Sequence, residues 1–334
     1  MTKVQNNLSG RIKNIALLTS GGDSPGMNAA IRSIVRTAIY RNLKVTGVLH
    51  GYSGLLKSNF SNMQSHSVSK IISSGGTILK SSRCEEFKTT EGREKAVANM
   101  RKHGVDALIV LGGDGSFHGA DLLNKEFNFP VVGVPCTIDN DIYGTDFTIG
   151  FDTAVNTAVT TIDKIRDTAD SHNMVFFVEV MGRHSGFIAI NTGISSGAEA
   201  TLLPETLTSI EQLCNYLVNG RRKNKTSGII IVSEEDEEGD ASEIARKVKI
   251  RLPEYETRVT ILGHIQRGGS PTNNDRVLAS ILGYEAVEAL LKGLQGVMAG
   301  QINNKVVFTP LNETYTRHKM IDNNWIEISK ILSL

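Results

Sequence analysis

The sequence predicts an α/β protein of two lobes built on mostly parallel sheets. Short β-rich apolar runs alternate with helical patterns along most of the chain, the signature of repeated βα units. Almost every run ends in a polar or glycine-rich loop. The chain has 334 residues, 40% of them hydrophobic, enough for two domains with substantial cores.

The expected strands are 15–19, 45–49, 107–111, 131–134, 175–180, 228–232 and 259–262. Between them, 28–41, 92–103 and 153–170 have apolar spacing near the helical period with charge on the opposite face, and read as crossover helices. One lobe is assigned 1–150 plus about 266–316, and the other 151–265 plus a C-terminal helix over about 317–334, because ligand motifs fall on both sides of these points. In that tail Ile321, Trp325, Ile328 and Leu332 recur at helical spacing and are expected to pack into a core.

Formal net charge is +1 and 21% of residues are charged, so no global field gathers nucleic acid or an anionic membrane. Anions must be bound by local groups. No apolar run approaches the roughly 18 residues that would span a bilayer, so no membrane partner and a cytoplasmic location are expected. Cys84, Cys136 and Cys214 are far apart and odd in number, and are expected to be free thiols.

The most informative stretch is Thr137-Ile138-Asp139-Asn140-Asp141. It follows the apolar run Val131 to Val134, so a strand ending there presents two carboxylates at the carboxyl edge, where open α/β sheets bind ligands. One could take a proton from a hydroxyl while its neighbour manages a metal or a water. Alone, the same pentapeptide also reads as a polar turn.

Residues 17–28, Leu-Leu-Thr-Ser-Gly-Gly-Asp-Ser-Pro-Gly-Met-Asn, read as strand, glycine-rich turn and helix start. Such a turn lets backbone N–H groups approach phosphate oxygens at a helix N-terminus. Neither the Gly-x-x-x-x-Gly-Lys-Ser/Thr nor the Gly-x-Gly-x-x-Gly fingerprint is present in it. Residues 108–116, ending Leu111-Gly112-Gly113-Asp114-Gly115-Ser116, repeat the architecture. An Asp in a phosphate-cradling loop repels the ligand unless a hard cation lies between them, so Asp114 points to Mg²⁺. Helix capping by Asp114 is the simpler alternative. At Gly115 a side chain would intrude on the phosphates.

Positive charge is supplied by Met181-Gly182-Arg183 and by Gly263-His264-Ile265-Gln266-Arg267-Gly268-Gly269, with Arg258 shortly before. His264, Arg267 and Arg258 make a plausible phosphate clamp. Glu234 opens the acidic run 234–238, which is expected to be a solvated loop, but it stands at the end of a predicted strand.

Together these motifs, in this order from about Arg11 to about Gly300, resemble the bacterial-type ATP-dependent 6-phosphofructokinases. The resemblance implies Rossmann-like three-layer sandwiches in each lobe, a homotetramer, and transfer of phosphate from ATP to the 1-hydroxyl of fructose 6-phosphate, the committed step of glycolysis. It places Gly22, Arg83, Cys84, Gly113, Asp114, Gly115 and Ser116 at ATP, with Asp114 on Mg²⁺. Asp139 is implied as the base, with Thr137 and Arg183 as catalytic companions. Thr137, Ile138, Asp139, Met181, Gly182, Arg183 and Glu234 are implied to hold the sugar. His264, Ile265, Gln266 and Arg267 are implied to hold the 6-phosphate, with Arg258 reaching a neighbouring subunit's site.

An effector site for ADP or phosphoenolpyruvate is implied at Arg32, Arg36, Arg166, Gly197, Ala198, Glu199, Lys223 and Lys225. Ser65 stands where the pattern has an effector-binding arginine. Met174 stands where it has an arginine on the 6-phosphate. Cys136 replaces a glycine and is small and uncharged, which with Gly115 disfavours a pyrophosphate-dependent relative. A non-catalytic regulatory paralogue that binds nucleotide is the other alternative, kept open by Met174 and Ser65.

Overall fold

The computed structural model describes residues 12–207, 209–222 and 227–333, apart from the side chains of 220–222. In chain order its elements are β1 (Asn14–Thr19), α1 (Met27–Tyr40), β2 (Lys44–Val48), α2 (Gly51–Lys57), β3 (Phe60–Met63), α3 (Thr90–Lys102), β4 (Ala107–Gly112), α4 (Asp114–Phe127), β5 (Val131–Thr137) and β6 (Ile149–Gly150). They continue as α5 (Phe151–His172), β7 (Met174–Val180), α6 (Phe187–Ser196), β8 (Ala200–Leu202), α7 (Ile210–Arg222), β9 (Gly228–Ser233), α8 (Ala241–Arg251) and β10 (Glu256–Ile261). The last are α9 (Asn273–Leu291), β11 (Val297–Ile302), β12 (Lys305–Pro310), α10 (Glu313–Thr316) and α11 (Asn323–Leu332). Among the described residues no helix is long and apolar enough to cross a membrane.

Contacts divide the chain into two compact units. The first comprises residues 1–137, 142–152 and 267–319; the second comprises 138–141, 153–266 and 320–334. Every expected strand and crossover helix forms, with ends moved by up to three residues.

In the first unit the sheet order is β12-β11-β5-β4-β1-β2-β3, with β6 paired to β5. β1, β4 and β5 run parallel and are buried on both faces, which is why they read as almost unbroken apolar runs. Ile31, Ile34, Val35 and Ala38 recur along one stripe of α1 and are fully buried, and α1 packs on α9. The chain runs from β1 outward to β2 and β3, then returns to β4 on the other side of β1. That reversal makes a topological switch point between β1 and β4, where ligands bind in open α/β sheets.

The second unit holds a four-stranded parallel sheet, β10-β7-β9-β8. Val175, Phe177, Ile230 and Val232 alternate inward against Ile244 and Val248 of α8. Asp240 caps α8 by accepting the Glu243 N–H at 2.8 Å. The loops after β7, β9 and β10 leave the sheet at its carboxyl edge.

Two expectations are corrected. Ile321 is buried, but α11 packs only lightly on α6 and β8 and buries none of its residues, so Trp325 (45% exposed), Ile328 (42%) and Leu332 (61%) are not core. The acidic run is not wholly solvated either: Asp236 is buried, and its Oδ1 accepts the Glu238 N–H at 3.0 Å.

Candidate active site

The two glycine-rich loops of the first unit meet at the switch point. The Ser20 N–H donates to the Leu111 carbonyl at 2.9 Å, fixing the end of β1 beside the end of β4. A β-carbon on Gly112 would lie 2.5 Å from Ser116 Oγ and 2.6 Å from the Ser20 carbonyl, so only glycine lets the loops come this close. Ser116 is buried, and its carbonyl accepts from Tyr52 Oη at 2.5 Å. Tyr52 stacks on Phe87 at 4.0 Å between ring centroids, and burial pushes its phenol far above the ordinary range. Sequence reasoning passed over this aromatic buttress, because one tyrosine in a short helix carries no motif.

Gly113, Asp114, Gly115 and Ser116 span the step from β4 into α4, so the backbone amides of the helix N-terminus face the loop. Asp114 is exposed, and its Oδ1 accepts the Gly115 N–H at 2.6 Å. Gly113, not Asp114, occupies the N-cap position, and it makes no side-chain cap. No atom lies within 4 Å of where a Gly115 β-carbon would be, so the space above this amide is open. Among the described residues no group of three or more His, Cys, Asp or Glu could hold a metal. One exposed carboxylate beside an open helix N-terminus fits Mg²⁺, which keeps most of its waters and takes one or two carboxylates plus substrate phosphates.

Arg83 and Cys84 reach the same edge through the segment before them. Thr19 Oγ1 donates to the Lys80 carbonyl at 2.8 Å and Ser81 Oγ to the Gly21 carbonyl at 2.7 Å, laying residues 80–84 along the first glycine loop. Arg83 is exposed and Cys84 half-buried. Gly22 lies against the Arg267 guanidinium. Arg267 Nε has no hydrogen-bond partner among the described residues. Thr137 ends β5 beside Gly113, whose β-carbon would lie 3.8 Å from Thr137 Cβ.

In the second unit Asp139 is 6% exposed, and its carbonyl accepts from Ser185 Oγ at 3.2 Å. Ser185 belongs to the turn after β7, and its N–H donates to the Gly182 carbonyl at 3.0 Å. That turn is tightly held. Glu234 Oε1 accepts the N–H of Gly182 at 3.2 Å and of Arg183 at 2.7 Å, and Gln266 Oε1 accepts the Met181 N–H at 2.9 Å. Gly182 lies at φ 145° and Arg183 at φ 52°, a left-handed conformation that costs a side-chain-bearing residue energy and persists because these bonds enforce it. Met181 and Ile138 are buried, whereas the Arg183 side chain is exposed. The next residue, His184, pairs with Glu235.

His264 and Ile265 are exposed and Gln266 is fully buried. Arg258 lies on β10, an edge strand, where Nη1 pairs with Glu256 at 2.6 Å and donates to the Thr257 carbonyl at 3.1 Å. Met174 opens β7 opposite Glu256 and is half-buried.

Of the residues implied for an effector, Arg32 is half-buried and Arg36 exposed on α1 in the first unit. In the second, Arg166 Nη2 donates to the carbonyls of Ser196 (2.6 Å) and Gly197 (3.2 Å), closing the C-terminus of α6. Its Nη1 lies 3.7 Å from Glu199, whose Oε2 accepts the Ile229 N–H at 2.5 Å. Gly197 adopts φ 61° as the C-cap, and the Ala198 N–H returns to the Gly193 carbonyl. Lys223 and Lys225 lie outside the described residues. Ser65 begins a short 3-10 helix.

A family model described as phosphofructokinase matches residues 14–290. The ATP-dependent 6-phosphofructokinase 2 of Bacteroides thetaiotaomicron is 50% identical over 325 residues, covering 97% of this chain and 100% of that protein. The ATP-dependent 6-phosphofructokinase of Cytophaga hutchinsonii is 52% identical over 322 residues, covering 96% and 98%. Among solved structures, phosphofructokinase from Saccharomyces cerevisiae superposes with a TM-score of 0.87 at 36% identity, covering 96% of this chain and 48% of that one. The chain therefore spans about half the length of the yeast chain.

Proposed function

The chain belongs to the phosphofructokinase family, and on that premise we propose that it transfers the terminal phosphoryl group of ATP to the 1-hydroxyl of fructose 6-phosphate. What carries the proposal is the identity of 50 to 52% with ATP-dependent 6-phosphofructokinases over nearly the whole chain. The meeting of two glycine-rich loops at the switch point supports it independently.

The amides of Gly113, Gly115 and Ser116 at the start of α4 hold the nucleotide phosphates, and Gly22 keeps the facing loop free of side chains. Phosphoryl transfer needs positioning and charge neutralisation more than covalent chemistry. Arg83 supplies positive charge at the ATP end. Asp139 accepts the proton of the 1-hydroxyl, and Thr137 and Ile138 set where it leaves β5. The turn 181–183, clasped by Glu234 and Gln266, presents Arg183 to the sugar. His264, Arg258 and Arg267 bind the 6-phosphate, and the partnerless Arg267 Nε supports that role. Asp114 would hold Mg²⁺, which when bound neutralises phosphate charge during transfer.

The role proposed for Arg166 and Glu199 is to shape an effector site for ADP or phosphoenolpyruvate, with Arg32, Arg36, Gly197, Ala198, Lys223 and Lys225 contributing. A homotetramer in the cytoplasm is the proposed setting. Exposed Val259 (38%) and Ile261 (56%) on the edge strand β10 favour coverage by a second copy.

The test is a coupled assay of fructose 1,6-bisphosphate formation across a titration of fructose 6-phosphate, with ATP or pyrophosphate as donor. Turnover with ATP and none with pyrophosphate is expected. Turnover with pyrophosphate alone would overturn the donor assignment. Nucleotide binding without turnover would favour the regulatory reading.

A further inference from the structure

Asp275 is 1% exposed in the first turn of α9, eight residues after Arg267 and far in sequence from Thr137 to Asp141. Its N–H is received by the N-cap Thr272 Oγ1 at 3.3 Å, and its Oδ1 accepts the Gly150 N–H at 2.8 Å. Gly150 is one of the two residues of β6, in register with Thr137, while Ile149 is in register with Cys136. A strand of two residues has almost no ladder of its own, so side chains must fix it. Thr148 Oγ1 donates to the Thr137 carbonyl at 2.7 Å, and Ser24 Oγ donates to the Ile149 carbonyl at 2.9 Å.

The packing around this point leaves no slack. A β-carbon on Gly150 would lie 2.5 Å from Ser24 Cβ, and one on Gly26 would lie 2.6 Å from Ile149 Cγ2 and 3.6 Å from Asp275 Cβ. Both glycines are at φ 108°, which a side chain would strain. Burial and then the Asp275 charge raise the Cys136 thiol. A buried carboxylate is tolerable here because it lies in the first turn of a helix, where the dipole favours negative charge, and accepts a backbone N–H.

We propose that Asp275 is a positioning residue for the proton acceptor: by holding Gly150 it fixes β6 against Thr137, and so sets where the chain departs toward Asp139, two residues on. The inference rests on the reading of Asp139 as the base. Without the carboxylate the Gly150 N–H is buried with its acceptor gone, and β6 shifts to find another. A displacement of about 1 Å in a reacting group can cost roughly a hundredfold in rate.

The experiment compares the full-length wild type with Asp275→Ala, Asp275→Asn and Thr148→Val. It measures kcat and KM for fructose 6-phosphate, ATP affinity by calorimetry, and hydrogen exchange at the Gly150 amide. Asp275→Ala is expected to lower kcat about 10- to 100-fold while ATP affinity stays within about threefold, and to accelerate Gly150 exchange. Asp275→Asn keeps an acceptor oxygen and is expected to recover kcat to within about fivefold with Gly150 protected. Thr148→Val, which loosens the same strand from the other side, is expected to lower kcat as well. Unchanged kcat in Asp275→Ala, or parallel loss of kcat and ATP binding, overturns the inference. If Asp275→Ala does not fold, unchanged kcat in Thr148→Val does so. Exchange at Gly150 needs no substrate. A wild type without turnover would therefore count against the assigned reaction, whereas unchanged exchange in Asp275→Ala would count against this inference.

Discussion

The Arg267 guanidinium lies so close to the Cα of Gly22 that a β-carbon there would overlap Nη1 and lie 2.9 Å from Cζ. A loop assigned to ATP and an arginine assigned to the sugar phosphate are therefore in contact. The obstacle is the far end of a flexible side chain, so Gly22→Ala should leave folding stability within about 1 kcal/mol of wild type. It should nevertheless push Arg267 aside. A charged hydrogen bond to phosphate contributes about 1.5 to 3 kcal/mol, so KM for fructose 6-phosphate should rise by roughly tenfold or more. Steady-state kinetics beside a thermal melt checks both halves.

Met174→Arg should lower the half-saturation concentration for fructose 6-phosphate. Met174 opens β7 opposite Glu256 at a half-buried position, one strand from Arg258. A gain approaching tenfold corresponds to about 1.4 kcal/mol. A titration in which the variant and wild type coincide would show that another group already fills this place.

The three cysteines should differ sharply toward a thiol reagent. Burial, then Asp275, pushes the Cys136 thiol well up, and burial raises Cys214 against the opposing pull of Arg251. A raised thiol pKa leaves less thiolate at pH 8, so both should react only on unfolding. Half-buried Cys84 should react first, and Mg-ATP should slow it if Arg83 and Cys84 line the nucleotide site. Mass spectrometry of labelled peptides reads out each site.

Arg166→Ala should destabilise the protein by about 1 to 2 kcal/mol, since the carbonyls of Ser196 and Gly197 at the end of α6 lose their donor. Denaturant unfolding measures this. The same variant should blunt any response to ADP or phosphoenolpyruvate, read from the fructose 6-phosphate saturation curve.

The parallel strands were legible because burial on both faces leaves an unbroken apolar run, as in β1 and β4. The turns at Gly21-Gly22 and Gly112-Gly113 were legible because glycine pairs directly after apolar strands mark tight turns, and the close approach of the two loops leaves no room for a side chain on Gly112. β6 was not, because two residues carry no period and Ser24, Thr148 and Asp275 hold it from elsewhere in the chain. β11 and β12 escaped notice for a related reason: their antiparallel pairing leaves β12 half-exposed, and its residues do not form a continuous apolar run. The stripe on α11 misled because a helical period shows that a face is apolar, not that anything covers it. The clasp of Glu234 and Gln266 on the turn 181–183 joins backbone amides to carboxylate and amide oxygens across 51 to 85 residues, and no local pattern encodes that.

The most direct measurement is fructose 1,6-bisphosphate formation from ATP and fructose 6-phosphate by wild type and Asp139→Asn, with ATP affinity determined for both. Wild-type turnover is expected, with kcat in the variant lower by about 10² to 10⁴ and ATP binding within about threefold. An Asp139→Asn protein that turned over at more than about a tenth of the wild-type rate would contradict the assignment of the proton to Asp139.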